Sequence, residues 1–216
     1  MAEIPPWFPR SQTLLGSPFL RPLPQPPPKR RAFISYFDGD GYWVDQFVKT
    51  FGSGGANTFI PRGIGITDAD DFVHSYDPEY VMSRIREECL EDSSVTIVLV
   101  GRCTHSRRYV DWEIKGSLRQ SGTEPPNGLL GIILPGASIT TVLGGTTLPY
   151  CPDRLAKNIN NGNGYAKWYH YPQSAENLRA WIEDAYNART SRSRLIVNPN
   201  EIMKYNARCL VCSQTH

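Results

Sequence analysis

The chain has 216 residues, of which 40% are hydrophobic, 20% charged and 11% aromatic, a balance that provides for one packed core and excludes wholesale disorder. The formal net charge is +2, but five basic residues against one acid make the first 31 residues +4 and leave −2 for the remainder. A nearly neutral body argues against binding a phosphate backbone, so no nucleic-acid partner is expected. No apolar run approaches the ~20 residues of a membrane span, and the start lacks the basic-then-apolar order of a secretory signal. A soluble, cytoplasmic protein with no membrane partner is expected. Five cysteines, Cys89, Cys103, Cys151, Cys209 and Cys212, are an odd set that fits free thiols in a reducing compartment better than a disulfide framework.

Nine of the 18 prolines lie between Pro5 and Pro28, with no helical or alternating pattern, so residues 1–30 read as an extended, disordered arm. Within it RPLPQPP, Arg21 to Pro27, fits both a solvated linker and a polyproline ligand. Order begins at RAFISY, Arg31 to Tyr36, a β-branched and aromatic run that suits a buried strand. Trp43, Val44, Phe47, Val48 and Phe51 then form one helical stripe, which GSGG at Gly52 to Gly55 stops. Thr58 to Ile60 is a weaker strand, and Pro61 to Tyr76, rich in glycine and aspartate, reads as a long loop.

Asp77 and Pro78 give a helix start, and Val81, Ile85 and Cys89 a helical face running to about Glu91. Ser94 to Val100 is continuously apolar, the mark of a strand covered on both faces. A helix from about Ser106 to Arg119 carries Val110, Ile114 and Leu118, and Gly128 to Pro135 is a second covered strand. Alternating strands and helices imply a flavodoxin-like α/β fold with a parallel sheet of about five strands and helices on both faces. Residues 136–173 lack periodicity and read as an irregular insertion. Ser174 caps a last helix with Ala175, Leu178, Trp181, Ile182, Ala185 and Tyr186 on its apolar face. The organisation is thus an arm at 1–30, an α/β domain at 31–190 and a C-terminal extension at 191–216.

Ligands of open parallel sheets bind beyond the carboxyl ends of the strands, and the loop after Val100 is the richest in chemistry, reading GRCTHSRRYVDWEIKGSL. Glu113 follows Tyr109 by four residues, one helical step from the core stripe of Val110, Ile114 and Leu118. A carboxylate flanked by Tyr109 and Trp112 would be partly desolvated, with aromatic faces able to stack a planar ring. From spacing alone, Glu113 reads first as a surface acid paired with Lys115 or Arg108 across solvent. Arg107 and Arg108 oppose the dipole of the helix they begin, and are either solvated or waiting for a pyrophosphate. Asp38 and Asp40 read as loop caps.

The set AFISYFDGD after a basic arm, SSVTIVLVG, HSRRYVDWEIKGSL and GIILP resembles a TIR-like domain, and most closely the ThsB type of Thoeris anti-phage defence systems, over roughly residues 31–135. Catalytic TIR domains carry W-C-x-x-E on the helix after the central strand. Tyr109, Val110, Asp111, Trp112 and Glu113 occupy that pattern, with Tyr and Val in place of Trp and Cys and the acid retained. The resemblance implies an NAD+ nucleosidase or cyclase that cuts the nicotinamide–ribose bond and makes an ADP-ribose-derived messenger, expected to be cyclic. It implies Glu113 as the catalytic carboxylate. It also implies a substrate pocket lined by Phe33, Ser35 and Tyr36 besides Arg107, Tyr109 and Trp112, although plain core packing is an equal reading for Phe33. NAD+ is then substrate, and no metal or other cofactor is required. Self-association, a phage component as trigger and a separate signal-activated effector are the partners implied.

Two other readings stay open: a non-catalytic TIR interaction module, and a nucleoside deoxyribosyltransferase-like enzyme that sets a glutamate against a sugar carbon. The sequence has no GxGxxG after a strand and no Walker loop. The four histidines form no paired ligand spacing. Cys209 and Cys212 make a lone CxxC two ligands short of a structural zinc site, with His216 the nearest addition.

Overall fold

A computed structural model describes residues 28–63, 80, 83–90, 92–120, 125–137, 141–142, 145–146 and 151–215. The proline-rich arm up to residue 27, most of the loop over 61–76 and the start of the helix expected at Asp77 lie outside the described residues. Among the described residues the main sheet has five strands: β1 (Arg31–Ser35), β2 (Ile60–Arg62), β3 (Val95–Val100), β4 (Gly128–Ile133) and β5 (Lys167–His170). Their order is β2-β1-β3-β4-β5, and every pairing is parallel. The expected flavodoxin-like α/β sheet is therefore present. Every residue of β3 and of β4 is buried, as their unbroken apolar runs require of central strands covered on both faces.

One face of the sheet is covered by helices α1 (Gly41–Phe51) and α4 (Ala175–Ser191). Ala32, Ile34, Ile97, Leu99, Leu130 and Ile132 meet Val44, Phe47, Leu178 and Ile182 there. The opposite face carries α2 (Arg108–Ser117) and α3 (Asp153–Ile159), with Val98, Val100 and Leu129 against Val110, Ile114 and Leu155. Because a strand alternates faces, Phe33 and Ser35 lie on the α2 side and Ile34 on the α1 side. The Ser174 hydroxyl accepts the Asn177 N–H at 3.2 Å, so the last helix starts at its expected cap.

Residues 136–173 correct the expectation of an irregular insertion. They hold a short antiparallel pairing of 141–142 with 145–146, all of α3, and the edge strand β5. β5 has one neighbour, β4, and stays partly exposed, so it lacks the apolar signature that marks a central strand. The second strand is likewise Ile60–Arg62 rather than Thr58 to Ile60. The segment before β3 is described as a wide, π-type helical turn over Ile85–Leu90.

The extension after α4 runs along α2 in the opposite direction. Lys115 Nζ donates to the carbonyls of Pro199 and Asn200, Trp112 Nε1 to that of Met203 at 2.9 Å, and Arg108 Nη1 to that of Lys204. Asn206 Oδ1 then accepts the Arg108 N–H at 3.0 Å, one of the donors that a helix start leaves open. Arg154 of α3 ties the layers together. It forms a two-point ion pair with Asp111 at 2.9 and 3.3 Å, and donates to Asn198 Oδ1 and to the carbonyls of Pro199 and Glu201. Its exposure is only 3%. Replacing Arg154 with Ala strands a buried carboxylate and three acceptors, so chemical denaturation should show a loss of about 3–5 kcal/mol; a loss below about 1 kcal/mol would mean that the strap is not held through this residue.

Candidate functional site

The site lies where β1 ends beside the middle of α2. Ser35 is the last residue of β1 and is fully buried, and its hydroxyl donates to Glu113 Oε2 at 2.6 Å. The neutral reading of Glu113 as a surface acid paired with Lys115 or Arg108 does not survive, because both cations bind the C-terminal strap. Burial pushes the Glu113 carboxyl up to about 8; the Ser35 hydrogen bond opposes the rise and the nearby negative charge of Asp38 adds to it. The residue as a whole is nevertheless only partly buried.

A second cluster joins the loop after β1 to the loop after β3. The Thr104 hydroxyl donates to Asp40 Oδ2 at 3.3 Å and accepts the Gly101 N–H at 2.8 Å. A Cβ on Gly101 would run into the Asp40 carboxylate, so glycine is what lets the two loops close on each other. Asp40 is thus a bridge between loops and makes no side-chain cap to α1, which corrects the cap reading. Burial raises its proton affinity, and the Thr104 bond and the charge of Arg107 moderate the rise.

Arg107 is only 5% exposed, so it is not one of the solvated arginines the sequence allowed. Its guanidinium stacks over the Phe37 ring at 4.0 Å, yet Nε and Nη2 meet no hydrogen-bond partner among the described residues. Two buried N–H groups without acceptors are costly, and a bound anion is the chemistry that would satisfy them.

The remaining candidates divide. Phe33 is 1% exposed and packs with Ile85, Leu90 and Trp112, and its ring fills the space a side chain at Gly63 would need. Trp112 is 5% exposed, with its indole N–H committed to Met203. These two rings are core supports beneath Glu113, without an open face for stacking. Tyr109 stands edge-on to Trp112 at 5.5 Å, accepts a 2.6 Å hydrogen bond from Arg108, and stays partly exposed. Tyr36 packs with the α1 and α4 cluster on the other face of the sheet. Ser35, Glu113 and Tyr109 are therefore the expected residues that share the α2 side with some polar function left. Thr104 and Gly101, and their meeting with Asp40, escaped the sequence reading, since that meeting depends on two loops far apart in the chain.

Among the described residues no helix is long and apolar enough to cross a membrane. One group of potential metal ligands occurs among them, formed by Cys103, Cys209 and Cys212.

Ionising Glu113 costs stability, because the folded state keeps its proton at pH values where the unfolded chain has lost it. Below about pH 4.5 both states hold the proton and the cost vanishes; it grows as pH rises toward about 8 and is constant above. Glu113→Gln, which preserves an acceptor for Ser35, should therefore be more stable than the parent by about 4 kcal/mol at pH 8, with the gain fading toward pH 4.5. Denaturation of both proteins across that range measures it, and a pH-independent difference would contradict the desolvated carboxyl.

Residues 33–139 match the family described as the TIR-like domain of Thoeris protein ThsB. The matched segment contains Ser35, Asp40, Arg107 and Glu113, and stops before α3, β5, α4 and the strap. No curated protein matches the chain.

Proposed function

We propose that this chain, which belongs through residues 33–139 to the TIR-like domain family of the Thoeris protein ThsB, cleaves the nicotinamide–ribose bond of NAD+ and turns the ADP-ribosyl part into a signal. The family makes it a component of anti-phage defence. The observation that supports the chemistry is the Glu113 carboxyl, 2.6 Å from the Ser35 hydroxyl at the end of β1 and, among the described residues, without a neighbouring cation to neutralise it.

Nicotinamide departs as a neutral base from a cationic pyridinium, so its departure needs no general acid. The barrier lies in the positive charge that grows on the ribosyl carbon. Glu113 supplies one negative charge in a setting where water screens it poorly, and an electrostatic partner of that kind is strongest when it is already in place before the bond breaks. Ser35 holds the carboxyl in position and favours its ionised form. Arg107 has two buried donors to offer the pyrophosphate, and Tyr109 is the partly exposed aromatic surface closest in sequence to the acid. Restricted access of water favours capture of the ribosyl cation by a nucleophile within the ADP-ribosyl group, which gives a cyclic product. Self-association is expected to complete the site and a phage component to trigger it, with a separate effector reading the product.

The decisive assay follows nicotinamide release from NAD+ by the purified chain, with phage lysate added where basal turnover is low. Glu113→Ala should lower the rate by about 10²–10³-fold. Retention of full activity in that variant sinks the proposal, and base release from nucleosides without NAD+ cleavage points to a transferase instead.

The pH profile gives a separate check. Because Glu113 acts ionised, kcat/KM should climb with pH to a plateau above about 8. Ser35→Ala removes the interaction that opposes the raised proton affinity, so the ascending limb should move to still higher pH while the plateau falls less than in Glu113→Ala. An unmoved limb would show that the carboxyl seen by the profile is not this one.

Arg107→Gln should raise KM for NAD+ by about 10–100-fold, the loss expected for charge-assisted bonds. Nicotinamide riboside, which has no pyrophosphate, should be cleaved equally by the variant and the parent. A shared loss on both substrates would assign Arg107 to the fold.

A further inference from the structure

The last turn of the strap ends against the loop that follows β3. Cys209 Sγ lies 3.3 Å from Cys103 Sγ, Cys212 Sγ lies 3.6 Å from the same atom, and all three sulfurs fall within 4.8 Å of one another. Cys103 and Cys209 are buried, while Cys212 is partly exposed, so solvent reaches one side of the group. Tetrahedral zinc with Zn–S bonds of about 2.3 Å separates its sulfurs by about 3.8 Å. Three thiols gathered at that spacing form one triangular face of such a site.

The backbone around the pair Cys209 and Cys212 is shaped for the same purpose. The N–H groups of Val211 and Cys212 both approach Cys209 Sγ, at 3.4 and 3.5 Å. Ser213 takes a left-handed conformation, with φ of 61°, and returns its N–H to the Cys209 carbonyl at 2.9 Å. Cys209 in turn donates its N–H to the Gln214 carbonyl at 2.8 Å. This tight turn aims backbone donors at a sulfur, which stabilises a thiolate far more than a thiol. A disulfide would use two of the three sulfurs and leave the third beside it outside the bond, and it gives no role to donors converging on Cys209.

We propose that Cys103, Cys209 and Cys212 bind a zinc ion as three thiolates, with a solvent molecule as fourth ligand, and that this ion staples the C-terminal strap to the loop between β3 and α2. Binding displaces three thiol protons to solvent and leaves the group with one net negative charge, within a loop that carries Arg102, Arg107 and Arg108. The sequence alone lacked ligands for this site because Cys103 lies 106 residues before Cys209. The strap fixes α2 from outside, so the staple secures the helix that presents Glu113. The proposal is independent of the glycosidic chemistry above: two of its three ligands lie beyond the segment that matches the family.

The test uses the full chain, purified under reducing conditions from zinc-supplemented medium. Elemental analysis should find about one zinc per chain, and replacement by cobalt should bring thiolate-to-cobalt charge-transfer absorption in the near ultraviolet. Cys103→Ser and Cys212→Ser should each lose the metal, whereas Cys151→Ser, which alters a thiol outside the cluster, should keep it. Should the serine variants fail to fold, the parent protein still decides: a chelator should lower its Tm, and added zinc should restore it. A fully reduced protein that takes up neither zinc nor cobalt overturns the proposal, as does a disulfide among these three residues in the protein as isolated.

Discussion

A single hydrogen bond fixes the geometry on which the candidate site depends: the Ser35 hydroxyl, at the last position of β1, reaching Glu113 in the middle of α2 at 2.6 Å. It crosses from the sheet to the helix layer, so it is only as good as the packing that sets their separation. Phe33 and Trp112 make that packing, two residues before Ser35 and one before Glu113, buried against each other with Ile85 and Leu90. The aromatic pair is thus a spacer, and its place in the core explains how a carboxyl can sit beside a strand end without sinking into the interior.

Much of this was legible in the chain. The two covered strands stood out at Val95–Val100 and Gly128–Ile133, because a run with no polar break can only be buried when helices cover both faces of the sheet. The step from Tyr109 to Glu113, read against Val110 and Ile114, placed the acid at the edge of the buried stripe, where it is found. What spacing did not carry was direction. Ring-bearing residues near the acid suggested stacking surfaces, but Trp112 turns inward and bonds to Met203, a partner 91 positions later. β5 escaped for a related reason: KWYH is a short edge strand with one neighbour, half open to solvent, and it follows a run of glycine and asparagine that reads as loop. Asp40 was noticed in the right loop but read as a loop cap, because an Asx side chain commonly bonds backbone within its own loop, whereas its bond to Thr104 and the closeness of Gly101 make it a bridge to another loop.

The strap changes how the electrostatics of α2 should be understood. Arg107 and Arg108 begin the helix at the end where its dipole disfavours positive charge. The fold answers by giving each a different environment: Arg107 covers the Phe37 ring, and Arg108 binds the Lys204 carbonyl and the Tyr109 hydroxyl while Asn206 takes its N–H. Lys115, at the far end, is absorbed by the carbonyls of Pro199 and Asn200. Asp111 and Arg154 neutralise each other, and the N–H of Met203 completes the pair.

The consequence concerns Glu113. Four charged groups on or beside α2 are matched by the strap or by one another, and the carboxyl is left facing Ser35 and the like charge of Asp38. Its negative charge is therefore left uncompensated by the described residues around it, and a positive ligand gains there what none of their cations supplies. In the reaction proposed above, a pyridinium ribosyl group would meet that deficit in its ground state, and the ribosyl cation formed as the base leaves would meet it better, since the charge then moves from the departing ring onto the sugar carbon. By occupying Arg108 and Lys115, the C-terminal strap prevents either from collapsing onto Glu113, so a segment that packs Ile202 on the Phe33 and Trp112 cluster also determines what the acid is free to bind.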